Sequence, residues 1–297
     1  MKAIMVPENV KFELSINKDV LFAGNPVSSD PITVQDMKLS LMVQYDKRKD
    51  DLRVQLIFNK NFIMYDGVFN TFLCVGDPEG TFITFNEATR SSFCTNPYSK
   101  RVPNPTKYLG SKQELKVSLT VSIHRLRTID IQKPQKYVDN ALLDLGDGCK
   151  IYVPKGKLSE LSPYFESLFA ASEDVYRLHD VNFYSFEIIL YHVHGLYNNY
   201  DGMVRSNYID GVLELADRFQ FDIIFNSFEE YLLTLSAEDS KKWLETADKY
   251  QMFRATEKIL SGMTKQEMEK TKEVMKLKKE RLSPETMDMI IEKMAKL

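Results

Sequence analysis

"KLSELSPYFESLFAAS", residues 157–172, places Phe165, Leu168 and Phe169 at the i, i+3, i+4 spacing that stacks side chains on one helix face. The stretch carries bulky aromatics and an internal Ser-Pro, but no acid–base pair and no metal-ligand spacing. Its residues predict a packed helical element. What that element serves depends on its neighbours.

Just upstream, "ALLDLGDGCKIYV" predicts a β-hairpin with Asp147-Gly148 as a two-residue turn. Downstream, three apolar stripes recur with helical period. Phe186, Ile189, Leu190, Val193 and Leu196 form the first, and Ile209, Val212, Leu213, Ala216 and Phe219 the second. Phe221, Ile224, Phe228, Tyr231 and Leu232 form the third, while "YNNYDG" and "RSN" break the run between the first two. This region reads as an α/β unit, hairpin first and packed helices after.

The chain before about Pro134 has a different period. "KLSLMVQYD" and "DLRVQLIFN" alternate apolar and polar residues, as half-buried antiparallel strands do, around a charged "DKRKDD" tip. "TFLCVGDPEGTFITF" repeats the scheme around "GDPEG". "ELKVSLTVSIHRL" sets Leu115, Val117, Leu119, Val121 and Ile123 on one face. "TNPYSKRVPNPTKYLGSK", with three prolines, reads as a loop. The pattern predicts a β-sandwich with almost no helix.

The final third is helical and more polar. Ser236 with Asp239 predicts a helix cap, and Thr264 with Glu267 a capping box. Ser283-Pro284-Glu285 sets a cap, a first-turn proline and a first-turn acid in the favoured order. The last helix presents Met287, Ile290, Ile291 and Met294 on one side. The single tryptophan, Trp243, is expected to anchor this region to the preceding one.

The expected architecture is α+β and multidomain. A β-sandwich occupies residues 1–133, an α/β domain 134–235 and a helical extension 236–297. At 297 residues, the chain is long enough for about two domains with their own cores. A net charge of -3 argues against bulk nucleic-acid binding. Cys74, Cys94 and Cys149 are scattered and odd in number, which predicts free thiols in a reducing compartment. "MKAIMVPENV" is too short in apolar residues for a signal peptide, and no stretch approaches the roughly 18 needed to span a membrane. A cytoplasmic or nuclear protein without membrane contact is expected.

Catalytic chemistry finds little support. His192 and His194 are two apart on a helical stripe, so they point about 200° apart and cannot share one metal. "GDPEG" lacks the Lys-Ser/Thr of a phosphate-binding loop, and no glycine flanks the serines of "LSELSPYF". The basic run "KLKKERL" is interleaved with acids and reads as a solvated helix face. The expectation is a non-enzymatic protein with no catalytic residues, no metal and no cofactor.

The order hairpin, "KGKLSELSPYFESLFAAS", "RLHDVNFYSFEIILYHVHGLY", "VLELADRFQFDIIFNSFEEYLL" resembles a BTB/POZ domain over roughly Val138 to Leu235. Ser162, Tyr164, Phe165 and Phe169 match the family's Ser-x-Tyr-Phe-x-x-x-Phe. Leu178, Asp180 and Val181 match its L-x-D-V strand. The wording and the tail "LSPETMDMIIEKMAKL" resemble the expanded nematode set of such proteins, many of which carry an N-terminal MATH domain, an eight-stranded sandwich. The first and last strand segments are similar to that domain, although its groove-building Trp-Gly-aromatic segment has no counterpart. "RSSFCTNPYSKRV" occupies roughly its place.

The resemblance implies an adaptor that binds an unknown protein substrate through its first domain and cullin-3 through its second, delivering the substrate for ubiquitination. Phe169, Ala171, Ser172, Glu173, Asp174 and Tyr197 then become the cullin-contact candidates, with Phe93 and Tyr98 for a substrate groove. "SAEDSKKWLETADKYQMFRATEKIL" resembles the helical pair that supplements cullin contact in such adaptors. Three features depart from the family pattern. Pro154 replaces a histidine that would partner Asp139. The element after Phe169 offers only "ASE". Pro134 argues against the helix that normally precedes the hairpin and builds the homodimer. A cullin-independent scaffold, self-associating or heterodimeric through the BTB domain, is the alternative.

Overall fold

The computed structural model describes residues 2–4, 8–34, 37–59, 63–76, 82–91, 98–109, 113–146, 148–196, 200–205, 207–278 and 282–296. The first unit holds strands β1 (Lys2–Ile4) and β2 (Glu8–Asn17), helix α1 (Lys18–Ala23), and strands β3 (Val27–Ser28), β4 (Ile32–Val34), β5 (Met37–Asp46) and β6 (Asp51–Asn59). Strands β7 (Ile63–Gly76), β8 (Phe82–Ser91), β9 (Tyr98–Pro103) and β10 (Glu114–Asp130) complete it.

Two five-stranded antiparallel sheets result. In one, β10 is flanked by β1 and β2 on one side and by β7, then β8, on the other; in the second, β3 and β4 pair with β5, followed by β6 and β9. The alternating residues Leu115 to Ile123 of β10 face Leu39, Leu41 and Val43 of β5 and Leu52, Val54 and Leu56 of β6 in one buried core. Period-2 patterning buried on one face of each sheet makes the sandwich.

Three local features depart from the sequence expectation. The proline-rich segment contains strand β9, which pairs with β6 at the sheet edge, where proline is tolerated because one side of the strand needs no ladder donor. Helix α1 interrupts the strands, with Asn17 Oδ1 accepting the Val20 N–H at 2.9 Å and Gly24 closing the helix at φ 76°. Finally, β10 continues to Asp130, and its register shifts between Ile123 and Arg125. The extra residue, His124, reverses the facing of everything after it, so Leu126 enters the sandwich core while Ile129 joins the core of the second unit.

That second unit opens with β11 (Asn140–Asp144) and β12 (Lys150–Pro154), a hairpin closed by Leu145 N–H to Cys149 O at 2.9 Å and Cys149 N–H to Gly146 O at 2.8 Å. Gly146 and Gly148 both take positive φ there; Asp147 lies outside the described residues. Helices α2 (Lys155–Leu161) and α3 (Pro163–Ala170) follow, then β13 (Tyr176–Arg177), α4 (Phe183–Val193), α5 (Tyr200–Arg205), α6 (Ile209–Arg218) and α7 (Asp222–Thr234). Helix α5 sits in the predicted break. The segment 131–139, which carries Pro134, forms turns and bends with no helix.

Helix α4 is buried on nearly every side from Ser185 to Tyr191, which marks it as the central helix of the unit instead of a one-striped surface helix. Every apolar position of the first two predicted stripes is buried, and in the third only Tyr231 is half-exposed.

The helical extension comprises α8 (Ala237–Ser240), α9 (Leu244–Lys249), α10 (Phe253–Ser261), α11 (Lys265–Lys278) and α12 (Pro284–Lys296). Its three predicted caps form: Ser236 Oγ accepts from Asp239 N–H at 3.1 Å, Glu267 Oε2 from Thr264 N–H at 2.7 Å, and Ser283 Oγ from Thr286 N–H at 3.2 Å. Ile290 is buried, but Ile291, expected on the same face, is 53% exposed because it sits one helical step beyond the packed side. The extension shares one continuous core with the second unit.

Candidate protein-docking site

Helices α2 and α3 form a helical pair broken at Ser162. That serine is fully buried, with its hydroxyl accepting the Phe165 N–H at 3.1 Å and donating to the Phe219 carbonyl. It therefore caps α3 and ties it to the end of α6. Phe165 is the hub beneath, with ring centroids 5.3 Å from Phe219, 5.6 Å from Phe221 and 5.5 Å from Phe169. These aromatics are core, as the helical spacing implied.

Among the cullin-contact candidates, Phe169 is buried. Its ring meets Tyr176 edge-on at 4.9 Å. Ala171, Ser172, Glu173 and Asp174 follow it as a run of exposed residues. Buried Tyr176 holds this loop: its hydroxyl donates to Ala171 O at 2.7 Å and accepts from Glu173 N–H at 3.3 Å. Beyond β13, Arg218 of α6 donates to His179 O at 2.8 Å and Asp180 O at 3.2 Å. The exposed loop is thus fixed from the core side by Tyr176, while Arg218, itself exposed, pins the chain just after β13. Sequence reasoning missed Tyr176 and Arg218, since no spacing rule ties a tyrosine to a carbonyl five residues earlier or an arginine to carbonyls 38 and 39 residues away. Tyr197 lies outside the described residues.

The groove candidates are on the other unit. Phe93 lies outside the described residues, and Tyr98 is described only as the first residue of β9, opposite Leu56; its side chain is likewise outside them. Pro154 is buried at the N-cap position of α2 with no side-chain cap bond, and the Asp139 carbonyl accepts the Lys155 N–H at 2.9 Å.

No catalytic arrangement emerges among the described residues, and no group of three His, Cys, Asp or Glu there could hold a metal. His192 lies with Nδ1 3.1 Å from Ile188 O and Nε2 2.7 Å from the Tyr200 hydroxyl, and burial pushes its pKa down to about 4. Burial does the same to His194, also to about 4, helped by nearby Lys157. Both are neutral packing residues at physiological pH. The free thiols Cys74 and Cys149 are pushed up by burial, away from the reactive thiolate form. No described helix is long and apolar enough to cross a membrane.

The extension is locked onto α7. Trp243 packs edge-on against Phe228 at 5.3 Å. The Glu229 carboxylate accepts Arg254 N–H at 2.8 Å and pairs with the Arg254 guanidinium at 2.8 Å. Lys258 Nζ donates to the carbonyls of Leu233 and Leu235, both at 2.6 Å, satisfying the open end of α7.

No curated protein matches the chain. The hairpin, the buried-aromatic helical pair, the short parallel strand β13 and the helices behind it coincide with a family match over residues 130–236, and that segment is a BTB/POZ domain, a module for protein–protein interaction and self-association.

Proposed function

We propose that the chain is a substrate adaptor of a cullin-3 ubiquitin ligase. The observation that carries this reading is the exposed Ala171–Asp174 loop, held by Tyr176 on the BTB domain. In this reading the N-terminal sandwich is a MATH-like substrate receptor, and the protein acts in the cytoplasm or nucleus without catalytic chemistry of its own. Cullin docking uses the loop face, with α3 as its rigid support. Mixing the full chain with the cullin-3 N-terminal domain tests it. A complex forming at concentrations on the order of tens of micromolar supports the reading, and none at that concentration removes it.

A second reading is favoured by two specific features. Ala171 offers one methyl group where a docking loop profits from a large apolar anchor, and residues 131–139 form no helix that could build a homodimer. A cullin-independent BTB scaffold that engages another protein instead of a second copy of itself accounts for both. Its signature is a stable complex recovered from cells that contains a defined partner and no cullin.

A further inference from the structure

The outer face of the second sheet carries a row of charge that the fold leaves unneutralised. In register, Gln44 of β5 stands opposite Arg53 of β6, and Arg53 stands opposite Arg101 of β9. Like charges placed directly opposite on one sheet face destabilise the pairing. Yet both arginines are exposed, and neither pairs with a carboxylate among the described residues. Lys47, Arg48 and Lys49, from the turn between β5 and β6, rim the same open concavity of about 490 Å³.

Two acids, Asp46 and Asp51, share this lining. Asp46 Oδ1 is already engaged by the Arg48 backbone N–H at 3.0 Å. Five cations against two carboxylates make a local positive excess in a chain of net charge -3. The excess is also confined. The next cross-strand row is Met42, Gln55 and Ser99, all neutral. A nucleic-acid backbone requires a longer basic track with several phosphate contacts. One row of two arginines under a cationic turn suits a single compact dianion, since each guanidinium presents a planar fork to phosphate oxygens.

We infer that this concavity binds a phosphate monoester carried on an extended segment of a partner protein. The inference deepens the adaptor reading by giving the sandwich a substrate class, but it requires no cullin. A protein carrier fits the neutral row of Met42, Gln55 and Ser99 beside the arginines and the protein-docking role of the BTB domain. Free phosphate shares the chemistry and is separated by the test.

The test is fluorescence anisotropy of the full chain with a degenerate heptapeptide library bearing a central phosphoserine, beside the same library bearing serine. The phosphorylated library is expected to bind at least about tenfold more tightly, with an affinity that falls as salt rises. Arg53→Ala/Arg101→Ala is expected to remove that preference while leaving the Tm unchanged or raised, because it deletes a like-charge pair. Equal binding of the two libraries overturns the inference, as does a double variant that binds like the parent. Inorganic phosphate displacing the probe as effectively as the phosphopeptide overturns the protein-borne assignment in favour of the free anion. With no cullin in the assay, each of these failures leaves the adaptor reading standing.

Discussion

Tyr176→Phe isolates the stiffness of the docking loop from its core. The substitution deletes one hydroxyl, and with it the bonds to Ala171 O at 2.7 Å and from Glu173 N–H at 3.3 Å. The ring stays, and with it the edge contact to Phe169 at 4.9 Å. A net intramolecular hydrogen bond contributes about 0.5–1.5 kcal/mol, and the second bond here is long. The released groups belong to exposed residues and regain water, so no buried-polar penalty is added. The expected global cost is therefore about 1 kcal/mol, a shift in Tm of roughly 2 °C for a chain of this size. The local effect is sharper: the Glu173 amide, whose N–H the hydroxyl accepts, should lose about fivefold in protection, which hydrogen exchange read by mass spectrometry over residues 171–174 resolves. A partner that docks on the loop should weaken by a similar factor, because ordering is then supplied at binding. Unchanged exchange at 171–174 would refute the role of Tyr176 as the loop's fastener. So would a loss above about 3 kcal/mol, which would make the hydroxyl part of the core.

Ser162→Ala removes a helix cap and strands the Phe219 carbonyl in a buried site; urea denaturation should record a loss of about 2 kcal/mol, and a loss under about 0.5 kcal/mol would contradict it. Trp243→Ala should cost about 3–5 kcal/mol and open the segment after Ser236 to limited proteolysis. Trp243→Phe should cost much less, because the indole N–H is buried without a partner among the described residues and its removal relieves that cost. His192 and His194 give a pH signature. Each is held near pKa 4, against 6.5 in the unfolded chain, so the unfolded state binds more protons between those values. Stability is then complete above about pH 6.5 and lost as pH falls toward 4, by about 3 kcal/mol per histidine. A flat denaturation midpoint between pH 7 and 4.5 would show that these imidazoles are hydrated.

The parts of the fold legible in the sequence are those whose burial has a period. Ile209, Val212, Leu213, Ala216 and Phe219 recur every three to four residues because one face of α6 is buried, and Leu115 to Ile123 alternate because one face of β10 is. Helix α1 has only six residues, too few for a stripe, and its sole signals are the Asn17 cap and Gly24. Strand β9 is hidden by prolines that an edge strand tolerates, so the local pattern reads Arg101 as loop and carries no sign of its register with Arg53. The docking loop was legible only as a location. Its fixation depends on a hydroxyl supplied by a later strand, and tertiary geometry of that kind leaves no period to read.

The bulge at His124 has the widest structural consequence. By reversing the facing of β10 it turns Arg125, Arg127 and Ile129 away from the sandwich core, onto the side where Asp66 of β7 lies opposite Arg127 in register. Asp66 is wholly buried, and a carboxylate there needs its cations: Arg125 and Arg127 both bond Oδ2. Arg127 also donates to Gly195 O of the BTB domain at 3.1 Å, while the buried Tyr191 hydroxyl accepts the Tyr65 N–H at 3.0 Å. Met64, Ile129 and Ile131 bury their side chains in the BTB core, and Tyr152 N–H bonds Ile131 O at 2.7 Å. Two domains joined by a shared core, by an arginine held on a buried carboxylate and by backbone hydrogen bonds do not behave as modules on a tether. The sandwich face bearing Arg53 and Arg101 and the loop bearing Ala171 to Asp174 therefore sit at one fixed separation, and a bound segment on the first is presented in one direction relative to whatever docks on the second.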